Sequence, residues 1–404
     1  MKQYLEFFID GYHEWTNSGK MPYLASFEFS YYLKQKAQRL KEKGLAISEN
    51  FEHVEDEIAG TVSRQGSPIS AETVYREARH VLIYRRGEEV IKAYRHPVTI
   101  YATILNKEGY EDREAVCTGC GHSSLVSVLR KGCPYCGACY EGEEAYPCVA
   151  SFYSVPAVAE RKKLEKDIRK ITLIPAVLFF LFVSIAVIFT DAESPWWFRI
   201  LKGLFMGLFC GGIGAFLSYM GYSLSLLIRL FFEAGRSLPL LRGLSSRKKM
   251  EAKMKPYDPD FSYEYFEGRM IMLLRDIAFS AKRDDLSFYE GKEDLSFLDD
   301  IVDLSYRGSS ALRHFEVKDD QIIITMEAFM SIITMKDRLS RKDKNYTITL
   351  RKKKDASSAV IDLCQVRCHN CGSSFDAMHK KVCPYCGSEY ELINDDWIIT
   401  SIRD

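Results

Sequence analysis

The sequence of 404 residues lacks an overall charge of either sign, because Lys plus Arg and Asp plus Glu both number 55. Composition therefore favours neither nucleic acid nor an acidic substrate, and local runs must carry any such argument. The first residues, Met1 to Asp10, show no succession of basic region, apolar run and small-residue cleavage site. No signal peptide is expected, and the amino-terminal segment is expected in the cytoplasm. A nucleophile elbow, a phosphate loop and a metal set with an open position are all missing, which argues against an enzyme. What is there is length enough for two or three domains, each with its own core.

The 12 cysteines are spaced for metal knuckles and not for a disulfide framework. Cys117, Cys120, Cys133 and Cys136 form two C-x-x-C-G pairs, and Cys368, Cys371, Cys383 and Cys386 repeat them. Two residues between thiolates let one turn present both sulfurs to one ion, and the following glycine accepts the left-handed backbone of the knuckle. Two knuckles complete a tetrahedral four-sulfur shell with no place for water, so the expectation is two structural Zn2+ ions per chain. His122, His369 and His379 lie close in sequence and read as solvated or supporting side chains. Cys139 is a spare thiol that redox sensing would use, whereas Cys148, Cys210 and Cys364 read as ordinary buried thiols.

Residues 171–190 carry no charge and, at about 1.5 Å per residue, span roughly 30 Å of hydrocarbon. A second span is expected at 200–228, after a short external loop, 191–199, that holds Trp196 and Trp197. The alternative is a buried helical pair in a soluble core. Arg161, Lys162, Lys163, Lys166, Arg169 and Lys170 precede the first span, in a basic juxtamembrane segment, 159–170. Arg229, Arg236, Arg242, Arg247, Lys248, Lys249, Lys253 and Lys255 follow the second, in a basic linker, 229–255. The positive-inside bias then places both termini in the cytoplasm, in a cell membrane crossed twice. Arg161, Lys162, Lys163, Arg247, Lys248 and Lys249 are candidates for lipid headgroups. Gly203, Gly207, Gly211 and Ala215 line one face of the second span with small side chains, for packing on the first span or on a second copy in a homo-oligomer.

The flanks of the two cysteine sets agree. Thr73 to Tyr84 and Glu89 to Leu105 precede one, Gln321 to Met335 and Tyr346 to Leu350 the other, and all read as antiparallel strands. Val149 to Tyr153 and Trp397 to Ile402 close each copy. The pattern predicts an α+β unit present twice, with a zinc ribbon (about 115–139 and 366–389) between its last two strands. Helices are predicted at Met1 to Trp15, Leu24 to Lys43, from Phe261 to Ile277 with Asp258 and Asp260 as caps, and along Leu295 to Leu304. The polar stretch Ile47 to Ile69 reads as a loop.

Tyr257 to Ser262, the aromatic helix after it and the closing Trp397 to Ile402 resemble the carboxy-terminal domain of the translocase-of-inner-membrane subunit forty-four, whose bacterial relatives are described as zinc-ribbon domain-containing transport proteins. The resemblance covers residues 256–404 and, more weakly, 1–155. It implies two nuclear-transport-factor-two-like cone domains, 1–158 and 256–404, separated by the transmembrane hairpin, each a strongly bent sheet with an open pocket. It further implies a membrane-proximal domain that binds a protein, peptide or lipid in its concave face, in protein transport or membrane-associated assembly. Two other classes stay open. One is a membrane-tethered nucleic-acid binder using the basic run Lys336 to Lys354, which also reads as a hairpin edge guarded by lysines, so no nucleic acid is expected. The other is an enzyme using the cone pocket through Tyr306, His314, Asp319 and Asp320.

Overall fold

The computed structural model describes residues 2–53, 60–64, 69–109, 111–112, 114–117, 120–129, 133–137, 146–157, 161–190, 194–234, 238–354, 365–389 and 397–404. The chain opens with helices α1 (Lys2–Ser18) and α2 (Phe27–Glu42). Ser26 caps α2 by accepting the Phe29 amide at 3.1 Å. Strands β1 (Ala46–His53), β2 (Gly60–Arg64), β3 (Ile69–Arg86) and β4 (Glu89–Lys107) follow. Then come the small β5 (Glu114–Val116), β6 (Ser123–Leu125) and α3 (Val126–Leu129), and β7 (Cys148–Pro156). Four helices continue the chain: α4 (Arg161–Thr190), α5 (Trp196–Ala234), α6 (Leu238–Met254) and α7 (Tyr263–Phe279). Strands β8 (Ile301–Lys318), β9 (Gln321–Met335), β10 (Leu339–Lys353), β11 (Gln365–Arg367), β12 (Ser374–Asp376) and β13 (Ile398–Arg403) complete it.

The two main sheets have one topology. The first runs β1-β3-β4-β7, with β2 also on β3, and the second runs β8-β9-β10-β13. In each, a long hairpin carries a two-stranded insert before the closing strand. Equivalent details recur: Thr73 and Thr103 share a hydroxyl hydrogen bond at 3.0 Å, as do Thr325 and Thr349 at 3.3 Å. The register slips by one residue after Thr103 and again after Thr349, a bulge at the same place in both sheets. Val149 exchanges backbone hydrogen bonds with Leu24 and Ser26, and Ile399 does so with Phe288 and Glu290. The internal repeat is thus visible in hydrogen bonding as well as in strand order.

The chain divides into two compact units, one of residues 1–157 with 239–404 and one of residues 158–238. The halves that flank the α4–α5 segment are therefore parts of a single unit, and one continuous core takes Phe8, Phe29, Tyr32 and Phe152 from the first and Phe266, Leu273, Tyr306 and Ile348 from the second. Burial of a core larger than either sheet could enclose alone accounts for the joining. Polar pins cross between the halves. The Arg39 guanidinium donates to the carbonyls of Ala278, Phe279 and Leu298 at 2.8, 3.2 and 3.0 Å, meeting carbonyls that the end of α7 leaves open. Arg275 reaches back to the Phe152 carbonyl at 2.6 Å.

Several expectations change. The stretch from 47 to 69 contains β1 and β2, because the inward set Ile47, Glu49 and Phe51 includes a carboxylate that hides the alternation. Part of the expected linker, 229–255, is α6, anchored by a stripe of Ser246, Met250 and Met254 spaced four apart. The cap of α7 is Ser262, not Asp258 or Asp260. Leu295 to Leu304 holds one 3-10 turn and the start of β8, where Ile301, Val302, Asp303 and Leu304 are buried on both sides.

In the second unit, α4 and α5 form an antiparallel pair in which apolar stretches of 23 residues (Ile168–Thr190) and 30 residues (Trp196–Ser225) are long enough to cross a membrane. Gly203, Gly207 and Gly211 lie against α4. A Cβ on Gly207 would sit 2.0 Å from the Ser184 hydroxyl, and one on Gly211 would sit 2.9 Å from the Ala176 carbonyl. Ser184 donates to the Gly203 carbonyl at 3.0 Å across this contact. Of the two partners proposed for the small-residue face, the first span is the one in contact. Ala215 is only partly buried, and Gly214 takes up the contact against Phe179.

Candidate metal centres and the seam between the halves

Both cysteine quartets converge. Within each set every Sγ lies within 4.8 Å of the others. Cys117 to Cys136 and Cys120 to Cys133 are each 3.6 Å apart, and Cys368 to Cys386 and Cys371 to Cys383 are 3.6 and 3.7 Å. Four sulfurs at about 2.3 Å from a tetrahedral ion stand about 3.8 Å apart, so the donor set fits such an ion, and the separations far exceed a disulfide of about 2.05 Å. The knuckles are built alike. Gly121, Gly137, Gly372 and Gly387 have φ of 78°, 74°, 72° and 74°. Gly121 and Gly372 each donate to the carbonyl of the first cysteine of their knuckle at 2.9 Å. Cys139 and Cys364 lie outside the described residues.

The quartets differ in what supports them. In the first, Leu129 packs on Cys117 and Cys133, and the Ser127 amide donates to the Asp112 carboxylate at 3.1 Å. In the second, Phe375 and Ala377 pack on Cys368 and Cys383, while the next residue, Met378, is buried in the main core. His379 is 5% exposed and far from solvated. Its Nδ1 meets Asp376 Oδ2 at 2.7 Å, and its Nε2 stands 3.8 Å from Asp276 Oδ2 on α7. Its ring stacks on Tyr31 of α2 with centroids 3.6 Å apart. Burial opposes the imidazolium, but the two carboxylates outweigh it and raise the His379 pKa to about 9.

A second cluster sits where β7 of the first half meets β8 of the second. Lys36 from the apolar stripe of α2 is buried between Asp303 at 2.7 Å and Glu49 at 3.7 Å. Glu49 also accepts from Tyr12 at 3.0 Å and pairs with His80 at 2.8 Å. Above this network a cleft of about 20 Å3 is lined by His80, Tyr94, His96, Asp303 and Arg341 among others, room for about one water-sized group. Burial, with His80 and Arg341 beside it, lowers the His96 pKa to about 4, so its ring is neutral at pH 7. Neither this network nor the docking of His379 was readable beforehand. The available signals were a lysine and an arginine among the apolar positions of a helix stripe and a glutamate at an inward strand position.

The four residues proposed for an enzymatic pocket do not converge. Asp319 and Asp320, with φ of 48° and 63°, make the tight turn between β8 and β9. His314 is exposed beside Glu316, while the Tyr306 hydroxyl donates to Glu267 at 2.5 Å. The basic run belongs to β10, an inner strand and not an edge, and several of its charges are paired: Lys336 with Asp300, Asp343 with Arg307, and Lys344 with Asp404. Among the headgroup candidates Lys248 and Lys249 are exposed, whereas Arg247 pairs with Glu251 and Glu264. The side chains of Arg161, Lys162 and Lys163 lie outside the described residues. No family model, curated protein or solved structure matches the chain.

Proposed function

We propose that this chain is a membrane-anchored zinc protein, held by the α4–α5 hairpin, whose α+β unit stands on the cytoplasmic side and is stiffened by two structural Zn2+ ions. The observation that carries the reading is the hairpin surface. Gly203, Gly207, Gly211 and Gly214 face inward, while Leu178, Phe182, Phe189, Phe205, Leu208 and Phe216 are exposed on the outside. Only 6% and 22% of the most apolar stretches of the two helices are buried, which is the pattern of a lipid-facing pair and not of a soluble core. The cysteine separations and the absence of an open ligand position support a structural role for zinc. The anchored unit then serves as an interaction module for a protein, peptide or lipid partner, as the family resemblance implies, with transport or assembly at the membrane as the process.

The test is to express the full chain, wash the membranes with alkaline carbonate, and measure zinc in the detergent-extracted protein. Retention in the membrane with two ions per chain is expected. Release into the wash would overturn the anchor, and protein without zinc would overturn the metal assignment.

A further inference from the structure

We propose that the second cysteine quartet is a metal-dependent latch on the shared core, clasping α7 to α2 through Met378 and His379, while the first quartet shows no such connection among the described residues. The inference rests on the reading of the quartets as metal centres and adds to it what the ion does for the rest of the molecule.

Five consecutive residues, Phe375 to His379, lead from the ribbon into the core. Phe375 and Ala377 belong to the small apolar cluster around Cys368 and Cys383. Met378 is 1% exposed and belongs to the main core. Asp376 accepts the amides of Met378 and His379 at 3.1 and 3.3 Å, which fixes the bend that turns the chain from one cluster to the other. A ribbon that keeps its fold therefore dictates where Met378 and His379 go.

At the far side the segment grips two helices and a loop. His379 lies flat on Tyr31 of α2 and faces the fully buried Asp276 of α7, and the Tyr31 hydroxyl meets the Ser280 hydroxyl at 3.2 Å just past the end of α7. Ser287 donates to the Met378 carbonyl through its amide at 2.8 Å and its hydroxyl at 3.0 Å. Lys381 donates to the carbonyls of Asp284 and Tyr289 at 2.7 and 3.4 Å. Asp276 is the telling partner. Neither of its carboxylate oxygens has a hydrogen-bond partner among the described residues, so the His379 imidazolium at 3.8 Å is its main compensation. Withdrawing His379 takes away the cation paired with a fully buried carboxyl, and α7 must then loosen or take up a proton.

The first ribbon provides the contrast within the same chain. Among the described residues its matching segment makes α3, whose Leu129 turns back onto its own cysteines, and Ser127 ties to Asp112 beside the ribbon. Four-sulfur ribbons of this size fold only around their ion. Removing the second ion should therefore reach α7, and removing the first should stay local.

The experiment uses the full chain in detergent, loaded with zinc, as Cys383→Ser, Cys133→Ser and His379→Leu variants. Zinc content is measured on each, and amide hydrogen exchange is followed across residues 27–42, 263–279 and 284–290. Cys383→Ser should lose one ion and speed exchange in α7 by about tenfold or more. Cys133→Ser should lose one ion with α7 unchanged. His379→Leu should keep both ions and still open α7, which separates the latch from general misfolding. Equal opening of α7 in both cysteine variants, or an unchanged α7 in Cys383→Ser with one ion lost, would overturn the latch and leave the metal centres standing. A wild-type chain without zinc would overturn both.

Discussion

The two ribbons have the same knuckles, the same positive-φ glycines and the same sulfur separations, yet they are attached in opposite ways. The first is folded back on itself through Leu129. The second lends Met378 and His379 to a core that both halves of the chain share. Duplicated sequence thus fixes the local geometry of the cysteine quartets, which depends on a few residues at set spacing, and leaves docking free to diverge, since docking depends on single side chains between the knuckles.

The comparison presupposes one core, and the largest predicted effect tests that. Lys36 lies buried between Asp303 of the second half and Glu49 of the first. Burial works against its charge and is the largest single influence, yet Asp303, Tyr12, Tyr32 and Glu49 together outweigh it and hold the ammonium well above its ordinary pKa. Lys36→Met leaves two buried carboxylates without their cation and should cost about 3–5 kcal/mol. In denaturant, with probes in β1–β4 and in β8–β10, both halves should lose stability together. A loss confined to one half would mean that the repeats fold separately. The double variant Lys36→Met with Asp303→Leu should recover much of the loss.

Next in size is the contrast between the ribbons themselves. Met378→Ala empties a core position, for which about 2–5 kcal/mol is expected, whereas Leu129→Ala removes a contact that serves only the first quartet. Global unfolding should therefore move with Met378→Ala and stay nearly fixed with Leu129→Ala, which should instead weaken zinc retention at Cys117 to Cys136. Equal shifts in global stability would erase the difference drawn between the two attachments.

Much of this architecture was legible in the chain. The quartets, the long hairpins β3–β4 and β9–β10, the closing strands and the apolar helices follow from spacing and periodicity, which are local signals. What stayed hidden is non-local. Glu49 looks like a surface residue until Lys36 and His80 are placed against it, and Met250 and Met254 look like part of a basic linker until the core beneath α6 is known. That residues 1–157 and 239–404 form one unit has no local signature, because two similar halves read equally well as two domains. His379 reads in the sequence as a solvated or supporting neighbour of the cysteines, since its partners Tyr31 and Asp276 are far away in sequence.

A smaller effect concerns the seam from the side of α7. Burial raises the Glu267 pKa to about 7, with Glu264 adding to it and the hydroxyls of Tyr306 and Tyr153 pulling it down. A carboxyl that is harder to ionise when folded contributes fully below its ordinary value near 4.5, and that contribution falls as pH rises to about 7. Asp276, also raised to about 7 by burial, adds a slope of the same sign. Glu267→Gln should remove only the first part, so the difference in unfolding free energy between wild type and variant should grow in favour of the variant between pH 4.5 and 7 and stay flat above. A difference that is flat throughout would place Glu267 in contact with solvent, and the hydroxyl cluster joining β7, β8 and α7 would lose its role.

The smallest effect is the one that should be equal in both ribbons. Gly121 and Gly372 hold φ of 78° and 72°, and a Cβ at either would meet no atom within 4 Å. Alanine there faces only the left-handed backbone penalty, about 1–2 kcal/mol, part of which is returned by the stiffer unfolded chain. Because ribbon folding and metal binding are one process, the loss should appear as a zinc affinity weakened by about three- to tenfold, read by chelator competition on each variant. Matching losses in Gly121→Ala and Gly372→Ala would confirm that the knuckles are energetically interchangeable and that the ribbons differ only in how residues 376–381 dock. A much larger loss at Gly372 would move the difference into the second quartet itself, with docking on α7 and α2 demanding a stricter knuckle geometry than the first ribbon needs.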